Sequence, residues 1–183
     1  MFDRTFAFLV LSIVFIPCLF ISIVIKLNSK GPVIHWSRRI GQNDSYFFMP
    51  KFRTMRTSTP QLASHLMTDP SHHITSIGYF LRKYSIDEIP QFWSVLIGDM
   101  KVVGPRPALY NQEDLIQLRI EKGINLFKPG ITGWAQINGR DFNTIKEKIE
   151  LETYYIKNKS TFLDFYIILK TFIKIFNFSE TSH

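Results

Sequence analysis

The apolar residues of this chain concentrate at its two ends, and the middle is mixed. From Phe6 to Ile25 there are 20 residues without a charged side chain, and only Ser12 and Ser22 are polar. This length matches the ~30 Å hydrocarbon core of a bilayer, so the pattern predicts a membrane helix. A cleavable signal peptide fits less well, because the run is long and lacks a small-residue cleavage site before Lys26.

Pro17 lies in the middle of this apolar segment. Its ring nitrogen cannot donate to the carbonyl of Ile13, and the ring disfavours the α conformation at Ile16, so a bend is expected there. Because proline is tolerated in membrane helices, a bend does not distinguish crossing the bilayer from turning back within it. The pattern alone favours a crossing helix and leaves the re-entrant alternative open.

The second apolar segment runs from Ser160 to Phe178 and is interrupted by Asp164, Lys170 and Lys174. Three charges make a second crossing costly. Lys170 and Lys174 are four residues apart and share one helix face, so we predict an interfacial amphipathic helix whose lysines extend towards lipid headgroups. The alternative is a core helix capped by Ser160.

Between the two ends the pattern predicts short elements. Residues 33–36 and 46–53 are expected to form a β-hairpin around the turn-prone residues 41–45. Helices are predicted near 76–83, 88–97, 110–122 and 143–158, the last beginning at Asn143, and residues 57–75 form a polar loop. In that loop, His72-His73 lacks the spacing of a metal site. A chain of 183 residues is one domain's worth, so we predict a single α+β fold, mainly helical with a small β-hairpin.

Composition and charge support a membrane-associated protein. Apolar residues make up 45% of the chain, which contains 17 Phe, and Cys18 is its single cysteine, so an intrachain disulfide is excluded. Residues 26–56 hold seven Lys or Arg against one Asp and carry six of the seven net positive charges. A basic block directly after an apolar segment favours the cytoplasmic side and anionic phospholipid headgroups. Nucleic acid is a less suitable partner for this charge, because nucleic-acid-binding proteins usually spread basic and aromatic residues over one face of a soluble domain.

The most informative candidate residues are the adjacent carboxylates Asp87 and Glu88, which lie in the segment from Ser85 to Gln91. Ser85-x-x-Glu88 is also a capping box, which gives the pair a purely structural alternative. The same helix N-terminus would supply unpaired amides that bind phosphate and lower the pKa of Asp87. An ionised Asp87 could then attack phosphorus, and its neighbour could hold Mg²⁺, which prefers one or two carboxylates plus phosphate oxygens.

A phosphate substrate also needs cations. Arg106 is flanked by Pro105 and Pro107, and a rigid loop of this kind suits bidentate recognition of phosphate. Any single arginine is more often a surface residue, and the glycines of residues 130–139 have turn geometry as their structural alternative. The candidates beside Pro, Gly or aromatic residues are Lys51, Arg53, Arg82, Arg106 and Arg140.

Five motifs occur in an order that resembles a known family. They are KFRTM at 51–55, LRKYSIDEIPQ at 81–91, GDM at 98–100, VGPRP at 103–107 and PGITGWAQINGR at 129–140. This succession resembles the bacterial sugar transferases called monotopic phosphoglycosyl transferases, in their minimal form. The similarity covers about residues 2–177.

The resemblance implies a specific reaction. Such enzymes move a phospho-sugar from a nucleotide diphosphate sugar, usually a UDP-sugar, to a polyprenol phosphate such as undecaprenyl phosphate, and release UMP. Asp87 matches the nucleophile that forms a covalent aspartyl phospho-sugar, and Glu88 matches its Mg²⁺-binding partner. Lys51, Arg82 and Arg106 fall on basic motif positions that contact phosphate or support the carboxylates. Arg140 is a weaker candidate for the nucleotide side.

The resemblance also favours the re-entrant anchor. Residues 1–26 would form a helix that bends near Pro17 and returns to the cytoplasmic face of the bacterial inner membrane, with residues 27–183 as the catalytic domain. The identity of the sugar, pairing with a second copy and contact with downstream glycosyltransferases stay open. The rival hypothesis is a non-catalytic scaffold of a glycan assembly complex, against which the intact Asp87-Glu88 pair argues.

Overall fold

The protein was analysed as a computed structural model, which describes residues 2–57, 59, 73–139 and 144–176. The predicted α+β class, mainly helical with a small antiparallel hairpin, is confirmed. In chain order the helices and strands are α1 (Phe2–Asn28), β1 (Ile34–Ile40), β2 (Tyr46–Phe52), α2 (Ser76–Lys83), α3 (Phe92–Ile97), β3 (Lys101–Val103), α4 (Glu113–Glu121), β4 (Gly130–Thr132), α5 (Trp134–Asn138), α6 (Ile145–Lys157) and α7 (Thr161–Phe176).

Helix α1 contains the N-terminal apolar segment and continues through Pro17. Among the described residues it is the one helix long and apolar enough to cross a membrane, and only 6% of its most apolar 18-residue window is buried. Its two buried residues, Ala7 and Ile25, lie near opposite ends of the helix. The protein therefore holds α1 at both ends and leaves most of its apolar surface exposed, as expected for a helix immersed in lipid.

The hairpin pairs β1 with β2 from Ile34 opposite Phe52 to Ile40 opposite Tyr46. Strand β1 extends beyond the predicted 33–36 to Ile40, and Arg38 within it pairs with Phe48 and stacks over the Tyr46 ring at 4.0 Å from the ring centroid. The turn contains Asn43 and Asp44 with φ of 53° and 59°. Asn and Asp tolerate this left-handed conformation better than other residues that carry a Cβ.

A second sheet was not predicted. Strands β3 and β4 pair in parallel, with Lys101 opposite Gly130 and Val103 opposite Thr132. Each strand has three residues, which is too short for a hydrophobic alternation to be read from sequence. The backbones approach so closely that a Cβ on Gly130 would lie 2.1 Å from the Gly104 nitrogen. Glycine is therefore required at this crossing.

Three helix predictions need correction at their ends. The predicted helix 88–97 is a 3-10 segment, Ile86–Gln91, followed by α3, because Pro90 has no N–H to donate to a longer α-helix. The predicted helix 110–122 is shortened to α4. The predicted starting residue of the last helix, Asn143, lies outside the described residues. The N-cap of α6 is Thr144, which forms a reciprocal capping box with Glu147.

Helix α7 combines features of both interpretations of the C-terminal segment. Ser160 accepts a hydrogen bond from the Leu163 amide at 3.2 Å, as the cap of a helix does, and Ile167 is fully buried in the core. The opposite face is also apolar, and Phe162 there is 82% exposed. One face of α7 thus packs against the domain, and the other leaves aromatic side chains uncovered. Binding of that outer face to lipid stays a prediction.

Candidate active site

The adjacent carboxylates lie on the 3-10 segment Ile86–Gln91, and the capping-box interpretation of this segment is wrong. Ser85 has a left-handed backbone with φ of 54° and its side chain makes no capping hydrogen bond. The Glu88 amide instead donates to the backbone oxygen of Ser85 at 3.2 Å. With the structural alternative removed, the orientation of both carboxylates must be explained by their other contacts.

Glu88 is held by two cations from distant parts of the chain. Its Oε1 accepts hydrogen bonds from Lys51 Nζ at 2.8 Å and from Arg106 Nη2 at 2.7 Å. Burial alone would raise the pKa of Glu88. The charges and hydrogen bonds of Arg106 and Lys51 outweigh that effect and hold the pKa well below its ordinary value. Glu88 is therefore a fixed carboxylate at neutral pH.

Asp87 has the opposite environment. It is 8% exposed, and burial raises its pKa, assisted by the charge of Glu88, while Lys51, Arg82 and Arg106 only partly offset the increase. This corrects the expectation that a helix N-terminus would lower the pKa of Asp87. Desolvation is the larger effect because the side chain is buried. A poorly solvated carboxylate is a stronger nucleophile than one in bulk water, since less hydration must be removed before it attacks.

The elements around the pair explain how its cations are positioned. Lys51 lies on β2, which packs against the 3-10 segment, and Arg106 lies in the loop after β3. Arg82 is in the last turn of α2, where its Nε donates to Thr54 Oγ1 at 2.9 Å and its charge lowers the pKa of Asp87. Three of the five predicted cations, Lys51, Arg82 and Arg106, thus surround the two carboxylates.

The other two predicted cations are not part of this cluster. Arg53 is 5% exposed, and its terminal nitrogens donate to the backbone oxygens of Lys30 and Ser29, just beyond the end of α1. These contacts give Arg53 a structural role at the end of the membrane helix. Arg140 lies outside the described residues.

The carboxylates open into a cleft of about 1290 Å³, larger than the ~300–1,000 Å³ of typical ligand pockets. Its lining combines two kinds of surface. One is charged and includes Asp87, Glu88, Lys51, Arg82 and Arg106; the other is apolar and includes Phe6 and Val10 of α1, Phe92 of α3, and Ile168 and Phe172 of α7. A cleft with both surfaces can accept an anionic group and a hydrocarbon chain together.

Two further lining residues were missed by the sequence analysis. Arg39 is on β1, where burial and the charge of Arg106 lower its pKa to about 10. It shares one face of the hairpin with Lys51, because Lys51 pairs with His35, four residues before Arg39. The predicted hairpin register could have revealed this. Gln136 of α5 has both amide atoms buried with no hydrogen-bond partner in the part of the chain that the structure describes, and nothing in the sequence signals that.

The oxygen donors suit a Mg²⁺ ion that is bound partly by its substrate. Among the described residues there is no cluster of three or more Asp, Glu, His or Cys side chains that would form an all-protein metal site. Both cations contact Oε1 of Glu88, so Oε2 and the Asp87 carboxylate would be the donors for a metal ion. Mg²⁺ commonly uses one or two carboxylates and takes its other ligands from phosphates and water.

Comparison with known proteins gives consistent matches. The sequence profile of the family described as bacterial sugar transferase matches residues 1–178. The sugar transferase EpsL of Bacillus subtilis is 39% identical over 188 residues, which cover 100% of this chain and 91% of that protein.

Two longer relatives have names that state a reaction. The UDP-N-acetylgalactosamine-undecaprenyl-phosphate N-acetylgalactosaminephosphotransferase of Aeromonas hydrophila is 38% identical over 82% of this chain and 37% of its own length. The UDP-glucose:undecaprenyl-phosphate glucose-1-phosphate transferase of Escherichia coli is 38% identical over 85% of this chain and 35% of its own length. The chain thus spans about a third of these two relatives.

Proposed function

The chain belongs to the bacterial sugar transferase family, and on this basis we propose that it transfers a sugar phosphate from a UDP-sugar to undecaprenyl phosphate and releases UMP. The observation that carries the proposal is the pair of adjacent carboxylates, one buried and one fixed by Lys51 and Arg106, in a cleft with charged and apolar linings. Relatives that share 38% identity are named for this type of reaction.

In the proposed first step, Asp87 is the nucleophile. A carboxylate oxygen attacks the phosphorus that carries the sugar, the bond from that phosphorus to the bridging oxygen breaks, and UMP leaves with the electron pair. In the second step an oxygen of the lipid phosphate attacks the same phosphorus. Asp87 then leaves as a carboxylate, and the product is a lipid diphosphate sugar. Both steps exchange one P–O bond for another and need no oxidant or reductant.

The neighbouring side chains have separate roles in this proposal. Arg106 and Lys51 keep Glu88 ionised and provide positive charge where phosphate oxygens would lie. Arg82 is near enough to Asp87 to favour its ionised form. Mg²⁺ bound by Glu88 and Asp87 would neutralise charge on the diphosphate.

The apolar lining explains how a lipid substrate would reach a charged centre. The two helices with the most exposed apolar surface, α1 and α7, both line the cleft. They do so through Phe6 and Val10 of α1 and through Ile168 and Phe172 of α7. A hydrocarbon chain that leaves the bilayer beside α1 could therefore lie along these residues while its phosphate reaches Asp87. Each Å² of apolar surface that the hydrocarbon chain and these residues remove from water would favour binding by about 25 cal/mol.

We further propose that α1 is re-entrant and that the domain lies on the cytoplasmic face. Near its start, Asp3 Oδ1 accepts a hydrogen bond from the Val102 amide at 3.1 Å, and just beyond its end Arg53 binds the carbonyls of Ser29 and Lys30. A helix of 27 residues is about 40 Å long if straight. Contacts of both ends with one domain support an anchor whose two ends are on the same side of the membrane.

The decisive experiment measures UMP release. The purified protein in nanodiscs is given a panel of UDP-sugars, undecaprenyl phosphate and Mg²⁺, and the Asp87→Asn variant is compared with Asp114→Asn, an exposed position on α4. We expect UMP release with at least one sugar, loss of release in Asp87→Asn, and normal release in the control. A folded, membrane-bound protein that releases no UMP from any UDP-sugar would favour the non-catalytic scaffold instead.

A further inference from the structure

The loop that carries Arg106 has few hydrogen-bond donors of its own, because Pro105 and Pro107 have no N–H. Its four consecutive carbonyl oxygens, from Pro105 to Ala108, are all bound by donors from other elements. Two of the donors are backbone amides and two are arginine side chains: Gly130 N binds Pro105 O at 2.9 Å, Arg119 Nη2 binds Arg106 O at 2.7 Å, Arg39 Nη1 binds Pro107 O at 3.1 Å, and Ile40 N binds Ala108 O at 3.0 Å.

Arg119 is itself fixed by a buried ion pair. On α4 it is 8% exposed, and its Nε and Nη2 donate to the two carboxylate oxygens of Glu152 on α6 at 2.9 and 2.5 Å, with Glu152 1% exposed. The planar guanidinium has five donors in a rigid fork. Two nitrogens bind the carboxylate, and one of them also reaches the Arg106 carbonyl.

The contact with Arg119 restricts the Arg106 backbone further than the neighbouring prolines do. Pro107 disfavours the α region for the preceding residue and leaves a broad extended range. The hydrogen bond on the Arg106 carbonyl selects one orientation of that peptide plane. The side chain that starts from the same residue then reaches Glu88 Oε1 at 2.7 Å.

We propose that Arg119 and Glu152 are positioning residues, which act through the Arg106 carbonyl to hold the Arg106 guanidinium against Glu88 beside the nucleophile. The effect of this positioning on catalysis rests on the proposed function. A buried ion pair is a weak device for stability, since an apolar pair of similar volume is often as stable or more so. An apolar pair, however, cannot donate a hydrogen bond to the Arg106 carbonyl.

This distinction provides the test. The double variant Arg119→Met/Glu152→Met replaces the ion pair without leaving a buried charge, and Lys122→Met, at the exposed C-cap of α4, is the control. We expect the double variant to melt near the unaltered protein but to release UMP at least about tenfold more slowly, because a guanidinium displaced by a fraction of an ångström binds less well. If the double variant fails to fold, Arg119→Lys, which keeps the charge, is measured in its place.

Two readouts separate positioning from a purely structural role. In an Arg106→Ala background the same substitutions should cause no further loss of UMP release, because the residue they act through is gone. The NMR signal of the Arg106 Nε–H group should shift in the double variant and not in Lys122→Met, because that guanidinium loses its fixed place against Glu88. Full activity in a folded double variant, losses that multiply in the Arg106→Ala background, or an unchanged Arg106 signal would each overturn the inference.

Failure of the proposed function has a different signature. If the unaltered protein releases no UMP from any UDP-sugar, the activity assignment is wrong, and the Arg106 Nε–H signal alone then decides whether Arg119 and Glu152 position Arg106. A shifted signal supports the positioning, and an unshifted one overturns it.

Discussion

At the residue scale, Asp87 and Glu88 are adjacent in the chain, yet their surroundings change their ionisation in opposite directions. Burial raises the pKa of Asp87, whereas Arg106 and Lys51 overcome burial and lower the pKa of Glu88. Pairs of titratable groups with diverging pKa values are typical of sites that divide two chemical tasks between them. In the proposed reaction one carboxylate attacks phosphorus and the other keeps its charge to organise cations.

Asp87→Asn should abolish turnover and stabilise the protein. Because the folded protein raises the pKa of Asp87, its carboxylate costs stability at any pH above the ordinary value of about 3.9, and a neutral amide avoids that cost. We expect UMP release to fall at least about a thousandfold, and the free energy of unfolding at pH 7 to rise by about 1 kcal/mol. Thermal unfolding in nanodiscs measures the second quantity. A fall in stability would contradict the desolvation argument.

Glu88→Gln should destabilise the protein in a pH-dependent way. The pKa of Glu88 is lowered in the folded state, so its contribution to stability is present above the unfolded value of about 4.3 and is lost as pH falls below it. The melting temperature of Glu88→Gln should therefore be below that of the unaltered protein at pH 7, and the difference should shrink progressively as the pH is lowered from about 4 to about 2.5. A difference that stays constant down to about pH 2.5 would show that ionisation is not the cause.

How far this site could be predicted depends on the range of each contact. Asp87, Glu88 and Arg106 lie in short motifs and could be named from the sequence. Arg119 and Glu152 could not, because the two are 33 residues apart and their meaning arises only when α4 and α6 pack together. Arg53 shows the opposite error. It lies two residues after Lys51 in the same motif, but its guanidinium turns to the end of α1.

At the element scale, the informative difference is the segment before α3. A capping box predicted from Ser85 and Glu88 would begin an α-helix, but Pro90 and the left-handed backbone of Ser85 produce a 3-10 segment instead. This shape presents Glu88 to Lys51 and Arg106 rather than to the backbone of Ser85. The hairpin was predictable because its strands are long enough to show a strand pattern in the sequence. Strands β3 and β4 were not predictable, because each has only three residues.

Ser85→Gly tests this local geometry. A residue with a Cβ pays about 1–2 kcal/mol to adopt the left-handed region, and glycine does not, although it gains entropy in the unfolded chain. We expect unchanged stability or a gain of up to about 1 kcal/mol. Thr144→Ala, which removes a true capping box at α6, should instead lose about 1 kcal/mol. Equal losses from both substitutions in denaturant unfolding would restore the capping interpretation of Ser85.

At the scale of the whole molecule, the exposed apolar surface is concentrated on α1 and on the outer face of α7, and the basic block follows α1 directly. The cleft opens between lining residues from both helices and the charged cluster. The membrane anchor is thus also part of the site, because Phe6 and Val10 belong to both. In the proposed reaction, the position of the anchor in the bilayer would therefore determine whether a lipid phosphate can reach Asp87.

The re-entrant and crossing anchors differ in where the N-terminus lies. If α1 bends near Pro17 and returns, Phe2 and Thr59 are both cytoplasmic; if α1 crosses, Phe2 is outside the cell. Cysteines at these two positions, in a Cys18→Ser background, can be tested with a membrane-impermeant thiol reagent. We expect both cysteines to be protected in intact cells and labelled after permeabilisation. Labelling of position 2 in intact cells, with position 59 protected, would exclude the re-entrant anchor.

Pro17→Leu provides the matched perturbation for this experiment. Leucine restores the backbone donor that proline lacks and removes the ring clash with the preceding turn, so the helix can straighten. The hydrogen bond of Asp3 with the Val102 amide and the packing of Ala7 oppose straightening, because a crossing helix would have to break both. We therefore expect part of the Pro17→Leu protein to be labelled at position 2 in intact cells, and more when Asp3→Asn weakens the contact. Complete protection of position 2 in both variants would mean that the domain contacts, rather than Pro17, determine the topology.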